Sequence, residues 1–236
     1  MMKVGLLQCD DVREDLQAAH GNYPEMFERP LRHRLPDMEY RVYRTHEGEL
    51  PASVDSCDVY LTTGSKFGVY DGLPWIDALQ AFVLQLWTAG KPLVGVCFGH
   101  QLMARTLGGE VLKSPKGWGV GMSFNDVLVH KEWMKPAATA LDLIVSHQDQ
   151  VVQLPPQAEV LASSDFCPYY LLQYGQHFLS VQGHPEFCKT YSADLMTARE
   201  ASIPPTRLRA GRASLAAEVD DQVMLDWIVS FLQHAR

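Results

Sequence analysis

The stretch Pro92-Leu93-Val94-Gly95-Val96-Cys97-Phe98-Gly99-His100-Gln101 decides the fold of this chain. Pro92 to Val96 is an apolar run that reads as a buried strand. It stops at a cysteine and turns at once into a helix, which continues through Leu102, Met103 and Leu107 to a stop at Gly108-Gly109. A sharp strand-to-helix elbow needs small neighbours. Gly95 and Gly99, two residues either side of Cys97, let the backbone bend and keep side chains off the sulfur. The new helix aims its first N–H groups at that sulfur and favours thiolate over thiol. Cys97 is therefore a candidate nucleophile, and a nucleophile needs a base.

A base stands in Val181-Gln182-Gly183-His184-Pro185-Glu186-Phe187. The run Phe178-Leu179-Ser180-Val181 leads into it, so His184 is expected just past a strand end. Pro185 forces His184 into extended geometry, where residues two apart face the same way. His184 and Glu186 then project together, as a general base does when a carboxylate orients its ring.

Outward from these two motifs the chain alternates. Lys3–Cys9 reads as a first strand, Tyr23–Leu35 as a helix and Tyr40–Tyr43 as a short strand. Asp58–Thr63 is another strand, followed by a Gly-rich loop from Gly64 to Gly72. A helix then opens at Pro74 and ends at Gly90. Alternation up to residue 108 predicts an α/β fold of three layers, with a mostly parallel central sheet flanked by helices. After Gly109 the pattern changes to strands around Met122–Val129, Leu141–Val145, Glu159–Ala162, Tyr169–Gln173 and Phe178–Val181. These predict a smaller antiparallel excursion before the chain returns to deliver His184. Tyr174–His177 is expected to be a hairpin connection. Two helices, Tyr191 to Ala201 and Ala213 to His234, are predicted to close the chain. No repeat or linker divides it, so residues 1–236 are read as a single domain.

The 236 residues are 47% hydrophobic and 20% charged, which suits one large domain with a substantial core. A net charge of −8 without a basic stripe argues against general nucleic-acid binding. Arg207-Leu208-Arg209-Ala210-Gly211-Arg212 is the one basic cluster, and it reads as a solvated loop before it reads as a lid or an anion site. No apolar run approaches a membrane span, and Met1 does not begin a signal-peptide pattern. Cys9, Cys57, Cys97, Cys167 and Cys188 show neither metal spacing nor a disulfide framework, and reduced thiols in a cytoplasmic setting are expected. No Cys/His cluster, Walker loop or dinucleotide fingerprint is present, so no metal or nucleotide cofactor is implied.

The elbow, taken with His184-Pro185-Glu186, resembles the class I glutamine amidotransferase family, of which GMP-synthase-like stand-alone glutaminase units are members. Gamma-glutamyl hydrolases and peptidases share its fold and cysteine. The resemblance implies a flavodoxin-like sheet and attack by Cys97 on the γ-carboxamide of glutamine. A γ-glutamyl thioester then forms, and glutamate and ammonia are released. His184 and Glu186 would be the other catalytic residues. An oxyanion hole is implied at Phe98 and at Gly64 or Ser65, on the loop after the third strand. Gln101 would help hold the substrate. Ser146-His147-Gln148-Asp149-Gln150-Val151 resembles the family segment around the substrate's α-amino and α-carboxylate groups, which makes Ser146 and His147 binding neighbours. Trp118 either packs over the substrate or is an ordinary buried aromatic. Two outcomes stay open for the released amine: a separate ammonia-accepting synthase subunit takes it, or the protein is a gamma-glutamyl peptidase acting alone on a small-molecule substrate. A binding module that senses a metabolite without turnover is the remaining class, and retention of Cys97, His184 and Glu186 together argues against it.

Overall fold

The computed structural model describes every residue from Met1 to Arg236. Its strands are β1 (Lys3–Gln8), β2 (Glu39–Arg44), β3 (Val59–Thr62), β4 (Leu93–Val96), β5 (Glu110–Lys113), β6 (Gly119–Ser123), β7 (Asp126–Val127), β8 (Leu143–His147), β9 (Asp149–Gln153), β10 (Ala158–Ser163), β11 (Leu171–Tyr174) and β12 (Phe178–Val181). The helices are α1 (Glu14–His20), α2 (Tyr23–Arg34), α3 (Pro74–Thr88), α4 (Phe98–Thr106), α5 (Lys189–Ala198), α6 (Pro205–Ser214) and α7 (Asp221–His234).

Eight strands form the central sheet in the order β2-β1-β3-β4-β12-β11-β10-β7. The first five run parallel to their neighbours, and the last three are added antiparallel. β3, β4, β11 and β12 are buried along their whole length, as strands covered on both faces must be. Successive side chains feed opposite layers. Val94 and Val96 join the core packed under α2 and α7, while Leu93 joins the core under α3 and α4. The expected three-layer α/β architecture is the observed one.

One register places the site. β4 and β12 are parallel neighbours with Val96 opposite Val181, and Cys97 N–H donates to Val181 O at 2.9 Å. Both chains leave the sheet at the same carboxyl edge, where open α/β sheets bind ligands. His184 N–H is then anchored to Ile144 O of β8 at 2.8 Å.

The structure corrects several expectations. The antiparallel part is not wholly a separate excursion: β11, β10 and β7 extend the main sheet, and only the ribbons β5–β9 and β6–β8 stand apart. Three helices, not two, close the chain, and the Arg207–Arg212 cluster lies in α6 and not in a loop. Pro205 opens α6 because a first-turn proline has no N–H to lose. Arg207 donates to Lys116 O at 2.8 Å, and Arg212 donates to Thr197 Oγ1 at 3.0 Å.

Candidate functional site

Cys97 has φ 51° and ψ −97°, and is the one non-glycine residue in the chain with positive φ. An L residue is held there only by its surroundings. The flanking glycines supply them by close approach. A Cβ on Gly95 would lie 2.4 Å from Met103 Sδ and 2.7 Å from the Gly99 carbonyl, and one on Gly99 would lie 1.6 Å from Thr62 Oγ1. Neither glycine has positive φ. The conformational cost expected of them falls on the cysteine itself, while the glycines let α4 press onto β3 and β4.

His184 Nδ1 lies 2.7 Å from Glu186 Oε1, and both side chains are almost fully buried. With Nδ1 committed, Nε2 is the nitrogen left for a thiol, and Cys97 is near enough for its sulfur to bear on the charge of the ring. Burial works against a charged imidazole, but the Glu186 carboxylate and the Cys97 sulfur outweigh it and raise the His184 pKa to about 10. Phe187 lies flat against the imidazole, with centroids 3.9 Å apart and planes within 6°. This stacking fixes the ring's plane, and sequence reasoning assigned Phe187 no part.

Gly64 closes the other side. A Cβ built on it would stand 2.8 Å from His184 Cε1 and 3.7 Å from Cys97 Cβ, so the loop after β3 passes directly over both residues. Thr63 Oγ1 donates to Gly64 O at 2.9 Å, and Ser65 Oγ accepts from Phe67 N–H at 3.2 Å. Phe98 is the first residue of α4, so its N–H has no partner within the helix. Phe98, next in the chain, and Gly64, on the overlying loop, both adjoin Cys97.

A cavity of about 410 Å³ opens on Cys97, lined by Ser65, Gln101, Trp118, Ser146, His147 and further polar residues. Gln101 Nε2 donates to Asp149 O at 2.8 Å and to Gln182 Oε1 at 3.1 Å, and Gln182 Nε2 lies 3.5 Å from Cys97 Sγ. A chain of amides thus runs from the cavity floor to the sulfur. His147 is buried beside His184 and His100, and desolvation with those neighbours lowers its pKa to about 3, so it stays neutral. That fits a binding neighbour better than a base. His100 is likewise buried, with Nδ1 2.8 Å from Ser180 Oγ and its pKa brought down to about 3 by desolvation. Asp149 opens β9 and accepts from Tyr70 OH at 2.9 Å. Trp118 lies under the Arg199 guanidinium, 5.9 Å from ring centroid to Cζ. Arg199 and Lys66 had no signal in the sequence beyond their type. A lone arginine at the end of a helix reads as an ordinary C-terminal cation.

Asp11, His46 and Glu47 bring three oxygen or nitrogen atoms close together elsewhere on the surface. Asn22, Gln8, Arg44 and His46 already bond Asp11, so the group is satisfied without an ion.

The family model described as Glutamine amidotransferase class-I matches residues 75–201, more than half of the chain. Gamma-glutamyl peptidase 3 of Arabidopsis thaliana is 29% identical over 78% of this chain and 76% of its own length. The glutamine-hydrolyzing GMP synthase of Aeropyrum pernix is 37% identical over 47% of this chain, but that match spans only 21% of the synthase. A glutamine amido transferase from Methylobacillus flagellatus has the same fold, with a TM-score of 0.79 at 19% identity over 100% of this chain and 95% of that one. No helix of the chain is long and apolar enough to cross a membrane. The matched span holds the cysteine elbow and the His184-Pro185-Glu186 segment alike, and the chain belongs to the class I glutamine amidotransferase family.

Proposed function

We propose that the protein is a cysteine hydrolase of γ-glutamyl amides, with glutamine as the simplest substrate. The observation that carries this reading is the approach of Cys97 and His184 to one point above Gly64, with Glu186 on Nδ1 of the imidazole. Cys97 gives its proton to His184, and the sulfur attacks the γ-carbonyl carbon. The tetrahedral oxyanion is held by the N–H of Phe98 and of the Gly64–Ser65 loop. The C–N bond then breaks as imidazolium protonates the departing nitrogen, leaving a γ-glutamyl thioester. Water enters, His184 takes one of its protons, and the thioester collapses to glutamate and free thiol. Glu186 holds the ring tautomer throughout and stabilises its charged form. Gln101, Ser146, His147 and Trp118 line the pocket where the glutamyl group would lie.

The relative named gamma-glutamyl peptidase 3, matched over 76% of its length, supports a second reading in which the leaving group is an amino acid or peptide. The match to a GMP synthase supports the alternative in which a separate synthase subunit takes up the ammonia. Purified protein offered glutamine and γ-glutamyl peptides, without any partner, separates the two. Under either reading Cys97→Ala abolishes turnover while the protein stays folded. An electrophilic glutamine analogue should label Cys97 far faster than Cys188, the one exposed thiol among the other four. Full activity in Cys97→Ala, or equal labelling of both thiols, refutes the proposal.

A further inference from the structure

The direction of the amide chain at Cys97 is set at its far end. Asp149 O is a backbone carbonyl and can only accept, so Gln101 turns its Nε2 toward it, at 2.8 Å. The same nitrogen then faces Gln182, which must meet it with an oxygen, Oε1 at 3.1 Å. Gln182 is thereby fixed with Nε2 toward Cys97 Sγ, at 3.5 Å. A carbonyl at the start of β9 decides that the sulfur receives an N–H and not a lone pair.

The backbone holds both amides in place. Gln182 N–H donates to Tyr170 O at 2.9 Å just past β12, and Gln101 N–H donates to Cys97 O at 3.1 Å in the first turn of α4. Gln182 has no exposed surface and Gln101 almost none. Burying a primary amide is costly unless its groups find partners, and here the partner of the last N–H is the reacting atom. The donor therefore stands ready before any substrate arrives.

Hydrolysis through a thioester puts negative charge on that sulfur twice. The first time is when His184 takes the thiol proton before attack. The second is when the adduct with water expels the sulfur from the γ-glutamyl carbon. Between the two, the acylated sulfur is uncharged and accepts an N–H only weakly. A donor that bonds the charged form better than the neutral one acts where charge develops. The N–H groups of Phe98 and the Gly64–Ser65 loop serve the carbonyl oxygen, and that of Gln182 serves the sulfur.

We propose that Gln182 is a catalytic residue, the fixed N–H that stabilises the Cys97 sulfur whenever it carries charge, and that Gln101 is its positioning residue, acting through the Gln182 oxygen. The inference rests on Cys97 as the nucleophile. It gives Gln101 a task beyond lining the glutamyl pocket, one that needs no substrate.

The test is alkylation of Cys97 by iodoacetamide across a pH series, followed on the Cys97 peptide by mass spectrometry. The reagent has no glutamyl group, so recognition in the pocket does not enter. His184 and the buried Cys167, the ionisable neighbours of the sulfur, are the same in every variant. Gln182→Met keeps the length and removes the donor. Its profile should be displaced to higher pH by about one pH unit, the tenfold scale of one hydrogen bond to a charged group, and kcat should fall about tenfold with KM little changed. Gln101→Met should displace the profile the same way by less, and the double variant should match Gln182→Met alone, since the brace then has nothing to hold. An unmoved profile in Gln182→Met of wild-type melting temperature overturns the proposal, as do additive displacements in the double variant. If Gln182→Met does not fold, Gln101→Met decides: an unmoved profile there has the same force. Turnover by Cys97→Ala would instead strike the nucleophile itself, which the alkylation profile does not depend on.

Discussion

At the scale of single residues, the site depends on a histidine whose charge the fold supports. His184 is carried from the usual 6.5 to about 10, against the penalty of its burial, by Glu186 and Cys97. Between pH 6.5 and about 10 the unfolded chain has released a proton that the folded chain still holds, so stability falls with pH across that window. The contribution is complete below the lower value and gone above the upper one. Urea unfolding of the wild type should therefore lose midpoint between about pH 7 and about pH 9.5, and His184→Gln should lose clearly less over the same range. Equal losses would mean that His184 is not the group whose proton is retained. Much of this site was legible in the sequence, because Cys97, His184 and Glu186 sit in contiguous motifs whose spacing has a chemical reason. Gln182 and Phe187 lie within those same motifs and were passed over. Their work, an amide 3.5 Å from a sulfur and a ring stacked at 3.9 Å, exists only once β4 and β12 are paired. Arg199 was less legible still. Its partners, Ser146 and Trp118, are distant in sequence, and nothing in its neighbours marks it.

At the scale of elements, apolar periodicity found what buries an apolar face and missed what does not. α2, α3 and the strands β1 to β4 were readable because each feeds a core layer. α1 has no buried residue, so no stripe marks it. β5 buries one of its four residues, and its partner β9 leaves two of five exposed. α6 hides its contact in small residues. A Cβ on Gly121 would lie 2.3 Å from both Gly211 O and Ser214 Oγ, so helix and strand meet almost backbone to backbone. The same device at the elbow gives a test of packing. Alanine is the better helix former than glycine by about 1 kcal/mol, so propensity alone predicts that Gly99→Ala stabilises α4. Its Cβ, however, would arrive 1.6 Å from Thr62 Oγ1 and 2.7 Å from Thr62 Cβ, inside the buried end of β3. Overpacking of this kind costs about 1–3 kcal/mol, so the net effect should be a lower urea midpoint together with loss of Cys97 reactivity toward an alkylating agent. A rise in midpoint would show that the helix contact yields more easily than its spacing implies.

At the scale of the whole molecule, the sheet joins everything that the chain brings to its carboxyl edge. Gly64 follows β3, Cys97 follows β4, and His184 follows β12, so three neighbouring strands set the positions of the reacting groups. The antiparallel strands β11, β10 and β7 continue that sheet without a break, and the ribbon β6–β8 is tied to it through the bond between Ile144 and His184. The two core layers share β1, β3, β4, β11 and β12, each of which contributes residues to both. Neither layer can be exposed without stripping one face of strands that the other needs. The chain should accordingly unfold in one cooperative step, as a unit with one shared sheet does. Its tryptophans make this measurable: Trp133 and Trp227 belong to one layer, while Trp75 and Trp87 pack against the other. Tryptophan fluorescence and far-ultraviolet circular dichroism should give coincident urea transitions, and labelling of Cys9 in one layer and Cys167 in the other should appear at the same denaturant concentration. Transitions separated by probe would mean that one core layer opens while the sheet still holds the other, and the shared strands would then not couple the two faces.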